Sequence, residues 1–151
     1  MVAIPDYRLV PQVRYPAFLQ DNAAAVRWVR VHAREVGGDP DRLVLAGHSA
    51  GAYNAAMLAM DGRWLGTDRR AVRGWIGLAG PYDFLPLDTP VTQATFGAAP
   101  DSAATQPISF AGAGDPPALL ATGDEDTLVR PRNSDTLAAR LTAVGVRRCR
   151  A

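Results

Sequence analysis

The sequence predicts an α/β fold, with a mostly parallel sheet of about four to five strands and helices on both faces. Short apolar runs alternate with segments of helical periodicity, and this alternation is typical of parallel sheets. The hydrophobic fraction of 48% and the charged fraction of 21% are those of an ordinary globular protein. Because the chain has no repeats, linkers or low-complexity tracts, residues 1–151 are predicted to form a single domain.

The first elements along the chain are predicted to be a strand, a helix and a second strand. Residues 2–9 begin with Val-Ala-Ile and should form a short buried strand. A helix should run from Pro16 or Ala17 to Val36, because apolar residues recur at helical spacing and two glycines follow. Residues 43–46 (Leu-Val-Leu-Ala) are continuously apolar, which favours a central strand buried on both faces. The predicted buried face of the helix comprises Phe18, Asn22, Val26, Val29, Ala33 and Val36.

The second part of the chain continues this alternation of strands and helices. The stretch 80–117 is rich in Gly, Pro, Asp and Thr, a composition that favours a lid or a binding loop. Further helices are predicted over residues 52–60, 91–96 and 131–144. Further strands are predicted over residues 71–79 and 118–122 and from Val146 onward.

Composition and charge exclude several classes of function. The chain has 16 Lys and Arg residues against 15 Asp and Glu, and its arginines are scattered, so no nucleic-acid surface is expected. No apolar run approaches the roughly 18–20 residues of a membrane span, and residues 1–8 lack the features of a secretory signal. The single cysteine, Cys149, excludes an internal disulfide and a Cys-based zinc site. A cytoplasmic location is therefore the default expectation, and the sequence leaves the oligomeric state open.

The strongest chemical signal is the Gly-His-Ser-Ala-Gly motif at residues 47–51. It follows an apolar strand and opens a helix of small residues, which is the setting of a nucleophile elbow. So sharp a turn should hold Ser49 in a strained backbone conformation, with Gly47 and Gly51 required because side chains there would collide with neighbouring backbone. The backbone N–H of Ala50, at the positive end of the helix, would stabilise a developing oxyanion. The alternative is a glycine-rich turn with an incidental serine.

At these residues the chain resembles the esterase and lipase branch of the α/β-hydrolase superfamily. The resemblance extends to bacterial carboxylesterase-like proteins grouped with feruloyl- and acetyl-esterase-type sequences. It implies a partial α/β-hydrolase fold, a small-molecule ester as substrate, and neither a metal nor an organic cofactor. The segments that carry it are residues 6–9 (Asp-Tyr-Arg-Leu), 38–42 (Gly-Asp-Pro-Asp-Arg), 77–83 (Gly-Leu-Ala-Gly-Pro-Tyr-Asp) and 117–120 (Pro-Ala-Leu-Leu).

The resemblance also nominates a catalytic acid. The family's acid lies in a Gly-x-x-Asp-x-x-Val arrangement, which this chain carries at residues 123–129 and which assigns the acid to Asp126. Its role would be to orient a catalytic imidazole and to stabilise the cation of that imidazole. Asp124 and Glu125 are rival acids in the same loop, and a solvated turn that caps the next helix is the non-catalytic interpretation.

The third member of a catalytic triad is expected outside the chain. The family order of Ser, Asp and His places the histidine after Asp126, beyond Ala151. Of the two histidines present, His48 cannot bend back to Ser49, and His32 should be a structural residue of the first helix. The family's oxyanion loop should likewise precede residue 1. We therefore expect a fragment truncated at both ends, which alone is nearly inactive and marginally soluble.

These features favour a serine hydrolase that cleaves carboxylic esters through an acyl-serine intermediate. A non-catalytic remnant or interaction module with the same fold is one alternative, and an amidase, formamidase or peptidase with the same triad is another. In the 80–117 stretch, Tyr82 and Phe84 are expected near the site. Phe96 and Phe110 would be pocket walls, or all four would be core residues.

Overall fold

The chain forms a four-stranded parallel sheet in which the order of the strands in space is their order in the sequence. The computed structural model describes residues 1–150, and for the last strand it describes the backbone alone. The strands are β1 (Leu43–His48), β2 (Val72–Leu78), β3 (Ala118–Ala121) and β4 (Arg148–Arg150). All three strand pairs are parallel, which confirms the predicted α/β class and a strand count within the expected range.

Helices connect or flank these strands close to the predicted positions. Their bounds are α1 (Ala17–His32), α2 (Ala50–Met60), α3 (Gly62–Leu65), α4 (Pro90–Phe96) and α5 (Arg132–Ala143). Helix α1 continues as a 3₁₀ turn over Ala33–Val36 and ends at Gly37, whose φ of 75° is readily adopted by glycine. In the part of the chain that the structure describes, no helix is both long and apolar enough to cross a bilayer.

Helix α2 is buried along almost its whole length. Each of its residues from the third position to the end is buried, so the helix is enclosed on every side. Small side chains allow it to lie close to the sheet: Ala52, Ala56 and Ala59 join the main core cluster with Trp75 of β2 and Leu120 of β3. The segment that follows the Gly-x-Ser-x-Gly motif is therefore the centre of the hydrophobic core.

A second cluster of largely aromatic residues covers the outer side of α2. Tyr53 and Met57 of α2 pack there against Phe18 of α1 and Phe96 of α4. The rings of Tyr53 and Phe96 lie 5.4 Å apart between centroids, and those of Phe18 and Phe96 lie 6.1 Å apart, nearly perpendicular. The Tyr53 hydroxyl donates a hydrogen bond to the Thr105 carbonyl at 2.9 Å. These contacts attach the 80–117 stretch to the two helices.

The prediction of a buried strand over residues 2–9 is wrong. The segment has no regular secondary structure, and nearly all of its side chains are exposed, including Ile4 at 89%. A strand needs a hydrogen-bonding neighbour, and no described strand lies beside this segment. Its attachment is polar instead, because Arg8 forms an ion pair with Asp21 of α1 at 2.7 Å. Val36 is also misassigned to the buried face of α1, since the 3₁₀ turn rotates it outward and leaves it 62% exposed.

Strand β1 lies at an edge of the described sheet, whereas the sequence predicts a central strand buried on both faces. Only β2 pairs with it. Its side chains alternate accordingly: Leu43 and Leu45 contact the core, and Val44 is 60% exposed. A continuous apolar run shows that a strand could be covered on both faces, but it carries no information about which elements cover it.

The helices that contact the sheet lie on one face, whereas the sequence predicts helices on both. Helix α2 contacts β1 and β2, α5 contacts β3 and β4, and side chains of both helices join a single core cluster. On the opposite face Val44, Ile76 and Leu119 line an open groove of about 440 Å³. This groove exists because no described helix packs against that side of the sheet.

Candidate active site

The turn between β1 and α2 places Ser49 at the carboxyl edge of the sheet. Ser49 has φ 52° and ψ −117°, a conformation that non-glycine residues rarely adopt, as expected of a nucleophile elbow. Its backbone N–H donates to the carbonyl of Leu78, the last residue of β2, at 2.8 Å. Its carbonyl accepts from the N–H of Tyr53 at 3.1 Å, the first hydrogen bond of α2. The serine is thus fixed at once to the neighbouring strand and to the buried helix, and it remains only half-buried.

The two glycines of the motif have different steric roles. A Cβ atom on Gly47 would lie 2.1 Å from the carbonyl carbon of Gly51 and 2.6 Å from the nitrogen of Ala52. Gly47 is therefore required, as predicted, because α2 turns back directly over the strand. A Cβ on Gly51 would meet no atom within 4 Å, so the predicted collision at Gly51 is wrong. Gly51 takes part in the close contact through its carbonyl group, whereas the space around its own Cβ position is open.

Ala50 is the first residue of α2 and is exposed. The first N–H groups of a helix have no intrahelical acceptor, and here the earliest helical hydrogen bond is the one donated by Tyr53. The backbone N–H of Ala50 therefore has no acceptor within the helix, and it lies at the positive end of the helix dipole, which favours negative charge.

Asp126 lies in the loop after β3, at the same edge of the sheet as Ser49. Strands β1 and β3 are separated only by β2, so their ends are roughly 10 Å apart. One carboxylate oxygen of Asp126 accepts from the N–H groups of Leu128 and Val129, at 2.9 and 2.8 Å. The other oxygen accepts no hydrogen bond from a described residue. Asp126 is half-buried, whereas the rival acids Asp124 and Glu125 are exposed.

Neither histidine lies where a base for Ser49 is needed. His48 ends β1 as an exposed residue whose side chain points away from the helical face of the sheet. His32 ends α1, where its ring stacks on Trp28 at 4.2 Å and its Nδ1 lies 2.8 Å from the Trp28 carbonyl. His32 is therefore the partly buried structural residue that the sequence predicts. Among the side chains that the structure describes, no three His, Cys, Asp or Glu residues group together as metal ligands.

Of the aromatic residues expected near the pocket, Tyr82 lies in the core, and Phe84, Phe96 and Phe110 are partly buried beside it. Tyr82 is fully buried and packs edge-on against Trp75 at 5.9 Å. Phe84 and Phe96 belong to the aromatic cluster over α2, and Phe110 covers the Arg63 guanidinium at 4.9 Å. All four residues therefore make packing contacts, and a role in the pocket wall stays a prediction.

Tyr82 fits against two glycines at the end of β2. Its hydroxyl has no hydrogen-bond partner, and burial raises its pKa, so the group stays neutral. A Cβ on Gly77 would lie 1.9 Å from this hydroxyl oxygen, and a Cβ on Gly80 would lie 2.4 Å from the ring. The glycines of the Gly-Leu-Ala-Gly-Pro-Tyr segment therefore make room for one aromatic ring beneath the elbow.

This contact predicts that substitutions at Gly77 and Tyr82 have coupled effects on the free energy of unfolding. Gly77→Ala should destabilise the chain by about 3 kcal/mol or more, because the buried ring cannot move away. Tyr82→Phe should be nearly neutral, because it removes a buried hydroxyl without a partner. In the double variant the nearest contact becomes Trp75 Cζ3 at 2.9 Å, so part of the loss should be recovered. Urea denaturation of the four proteins measures the coupling, and strictly additive free energies of unfolding would contradict it.

Comparison with known proteins places these features in a family. A sequence model of the BD-FAE family matches residues 1–141. Carboxylesterase NlhH of Mycobacterium tuberculosis is 47% identical over 66 residues, which are 44% of this chain and 21% of that protein. Esterase LipC of the same organism is 28% identical over 160 aligned residues, covering 92% of this chain and 40% of LipC.

Solved structures show the same fold. Thermogutta terrifontis esterase 2 in its apo form superposes with a TM-score of 0.81 at 26% identity, over 97% of this chain and 57% of the esterase. A truncated carbohydrate esterase from gut microbiota superposes with a TM-score of 0.83 at 22% identity, over 96% of this chain and 62% of that chain. The chain thus spans less than two thirds of the length of each of these relatives. Since the family match covers residues 1–141 of 151, the chain belongs to the BD-FAE family and has the fold of an α/β-hydrolase.

Proposed function

We propose that the protein containing this chain hydrolyses carboxylic esters through an acyl-serine intermediate, with Ser49 as its nucleophile. The observation that carries the proposal is the strained Ser49 at the start of α2, at the same sheet edge as the half-buried Asp126. The names of the relatives support ester hydrolysis as the reaction, since NlhH is a carboxylesterase and LipC an esterase.

In this mechanism the Ser49 hydroxyl attacks the ester carbonyl carbon and gives its proton to a histidine imidazole. The backbone N–H of Ala50 donates to the resulting oxyanion. The carbon–oxygen bond to the alcohol then breaks, and the alcohol leaves with the proton of the imidazolium. Water, deprotonated by the same imidazole, attacks the acyl-serine and releases the carboxylic acid and Ser49. Asp126 holds the imidazole through the carboxylate oxygen that accepts no bond from the described residues.

In this scheme the imidazole belongs to a histidine other than His32, whose ring stacks on Trp28, and His48, whose side chain points away from the helical face of the sheet. Residues 1–151 alone should therefore hydrolyse esters very slowly, since an unactivated serine is a weak nucleophile. Free imidazole that occupies the space between Ser49 and Asp126 would supply the missing base. Its effect on the isolated chain should require both residues.

A fluorophosphonate probe tests the assignment, because it reacts covalently with activated serines. In the complete protein we expect stoichiometric labelling that mass spectrometry locates on Ser49, and none in a Ser49→Ala variant. In residues 1–151, labelling should be slow and should accelerate when imidazole is added, with Ser49→Ala again as the control. An unlabelled Ser49 in a folded complete protein would overturn the proposal and favour the non-catalytic alternative.

A further inference from the structure

The side chain of Asn133 ties the loop that carries Asp126 to the loop after β2. Asn133 lies in the first turn of α5, and its Oδ1 accepts the backbone N–H groups of both Tyr82 and Asp83, each at 2.9 Å. Its Nδ2 donates to the carbonyl of Arg130 at 3.3 Å. An amide oxygen has two lone pairs, so both acceptor positions of Asn133 are used. The side chain therefore joins two separate loops at the carboxyl edge of the sheet.

The loop that contains Tyr82 and Asp83 is itself fixed by contacts with the core. The Tyr82 carbonyl accepts from Ile108 N–H at 3.1 Å, and the Tyr82 ring is fully buried. The Phe84 N–H donates to the side-chain oxygen of Gln106 at 2.8 Å, and Gln106 is itself only 1% exposed. Asn133 thus connects the acid loop to backbone that is fixed by the core.

Together with the strand hydrogen bonds, this link anchors the acid loop at both ends. At its start, Ala121 of β3 accepts from Ala79 N–H at 2.8 Å, directly after the Leu78 carbonyl that binds Ser49. At its end, Asn133 fixes the beginning of α5. Asp126 lies between these anchors. Without the second anchor, the carboxylate is held only through β3 and through the hydrogen bonds of its own loop.

We propose that Asn133 is a positioning residue that sets the location of the Asp126 carboxylate relative to Ser49. The inference rests on the proposed function and extends it to a residue that touches neither substrate nor the reacting atoms. A neighbouring ion pair offers a contrast: Arg132 and Asp83 are 3.1 Å apart, but the arginine side chain is 64% exposed. Such a pair contributes little to order, so the half-buried amide link, which holds two backbone N–H groups, is the contact that matters.

The test compares three variants of the complete protein. Asn133→Leu keeps the approximate size and removes both acceptor positions, so kcat should fall about 10- to 100-fold with KM nearly unchanged. Asn133→Asp keeps the acceptor oxygen at the helix N-terminus and should retain most of the activity. Arg132→Ala removes only the exposed ion pair and should leave kcat within about threefold of the starting value.

The pH profile separates positioning from a general loss of stability. Asp126 favours the charged form of the imidazole, so a displaced carboxylate should move the acidic limb of kcat/KM to lower pH in Asn133→Leu. A smaller amount of folded enzyme would reduce the rate at every pH without moving that limb. An unshifted limb in Asn133→Leu, or an equal fall of kcat in Arg132→Ala, would overturn the positioning role.

A measurement on residues 1–151 keeps this inference distinct from the proposed function. Amide hydrogen exchange of Tyr82 and Asp83 should accelerate in Asn133→Leu and stay unchanged in Arg132→Ala. If the complete protein shows no hydrolysis that depends on Ser49, the proposed function fails and the catalytic role of Asn133 fails with it. If hydrolysis is present and neither exchange nor kcat responds to Asn133→Leu, only the positioning role fails.

Discussion

Replacing Gly47 by Ala should prevent residues 1–151 from reaching a stable native state. The added Cβ would lie 2.1 and 2.2 Å from the carbonyl carbon and oxygen of Gly51. Both atoms belong to backbone that cannot yield, because β1 is hydrogen-bonded to β2 and α2 is enclosed by the core. We expect a loss of more than about 4 kcal/mol, a large part of the usual 5–15 kcal/mol of a domain. Urea denaturation followed by circular dichroism measures this loss.

Gly51→Ala is the matched control for this experiment. It makes the same chemical change four residues further along the motif, where the new methyl group meets no atom within 4 Å. Alanine also has the higher helix propensity, so the free energy of unfolding should stay the same or rise by up to about 1 kcal/mol. Equal denaturation midpoints for the two variants would show that α2 does not pack over Gly47 as described.

Asp126→Asn in the complete protein should lower kcat on the order of 10⁴-fold, the loss typical for an orienting aspartate. The amide keeps the size of the side chain and one acceptor oxygen for the Leu128 and Val129 N–H groups, so the loop should keep its shape. It cannot stabilise an imidazolium cation, and it favours the wrong tautomer of the ring. Steady-state hydrolysis of an activated ester such as p-nitrophenyl acetate measures the effect.

Variants of the two neighbouring acids test whether the loss of kcat is specific to Asp126. Asp124→Asn and Glu125→Gln remove the same charge from the same loop, but their side chains are exposed. Each should change kcat by less than about threefold, since exposed charges act weakly through solvent. A large loss in Asp124→Asn with an active Asp126→Asn would reassign the catalytic acid to Asp124.

Local steric rules explain what the sequence predicts well. The Gly-x-Ser-x-Gly motif identifies a turn whose geometry follows from its own residues, and Ser49 has the strained backbone expected there. The end of the first helix is also predictable from its own residues, because Gly37 can adopt a positive φ that other residues avoid. Helix α5 and strand β3 follow from apolar periodicity between turn signals.

Features that depend on distant neighbours were not predictable in this way. The apolar run of β1 suits a central strand, but its position at an edge depends on which strands pair with it. Residues 2–9 have the composition of a strand and lack a described partner. Asn133 binds backbone 50 and 51 positions earlier in the chain, and no periodicity or motif marks such a link. The assignment of Asp126 comes from family resemblance and stays a prediction.

The enclosure of α2 has a consequence for how a hydrolase of this kind would lose activity. Fraying at chain ends and loop tips requires little free energy, whereas a segment surrounded by packed side chains opens only with the domain as a whole. Ser49 is the residue from which that segment starts. The backbone of Ser49 therefore keeps its position through ordinary local fluctuations, and this position is lost only when the protein unfolds cooperatively.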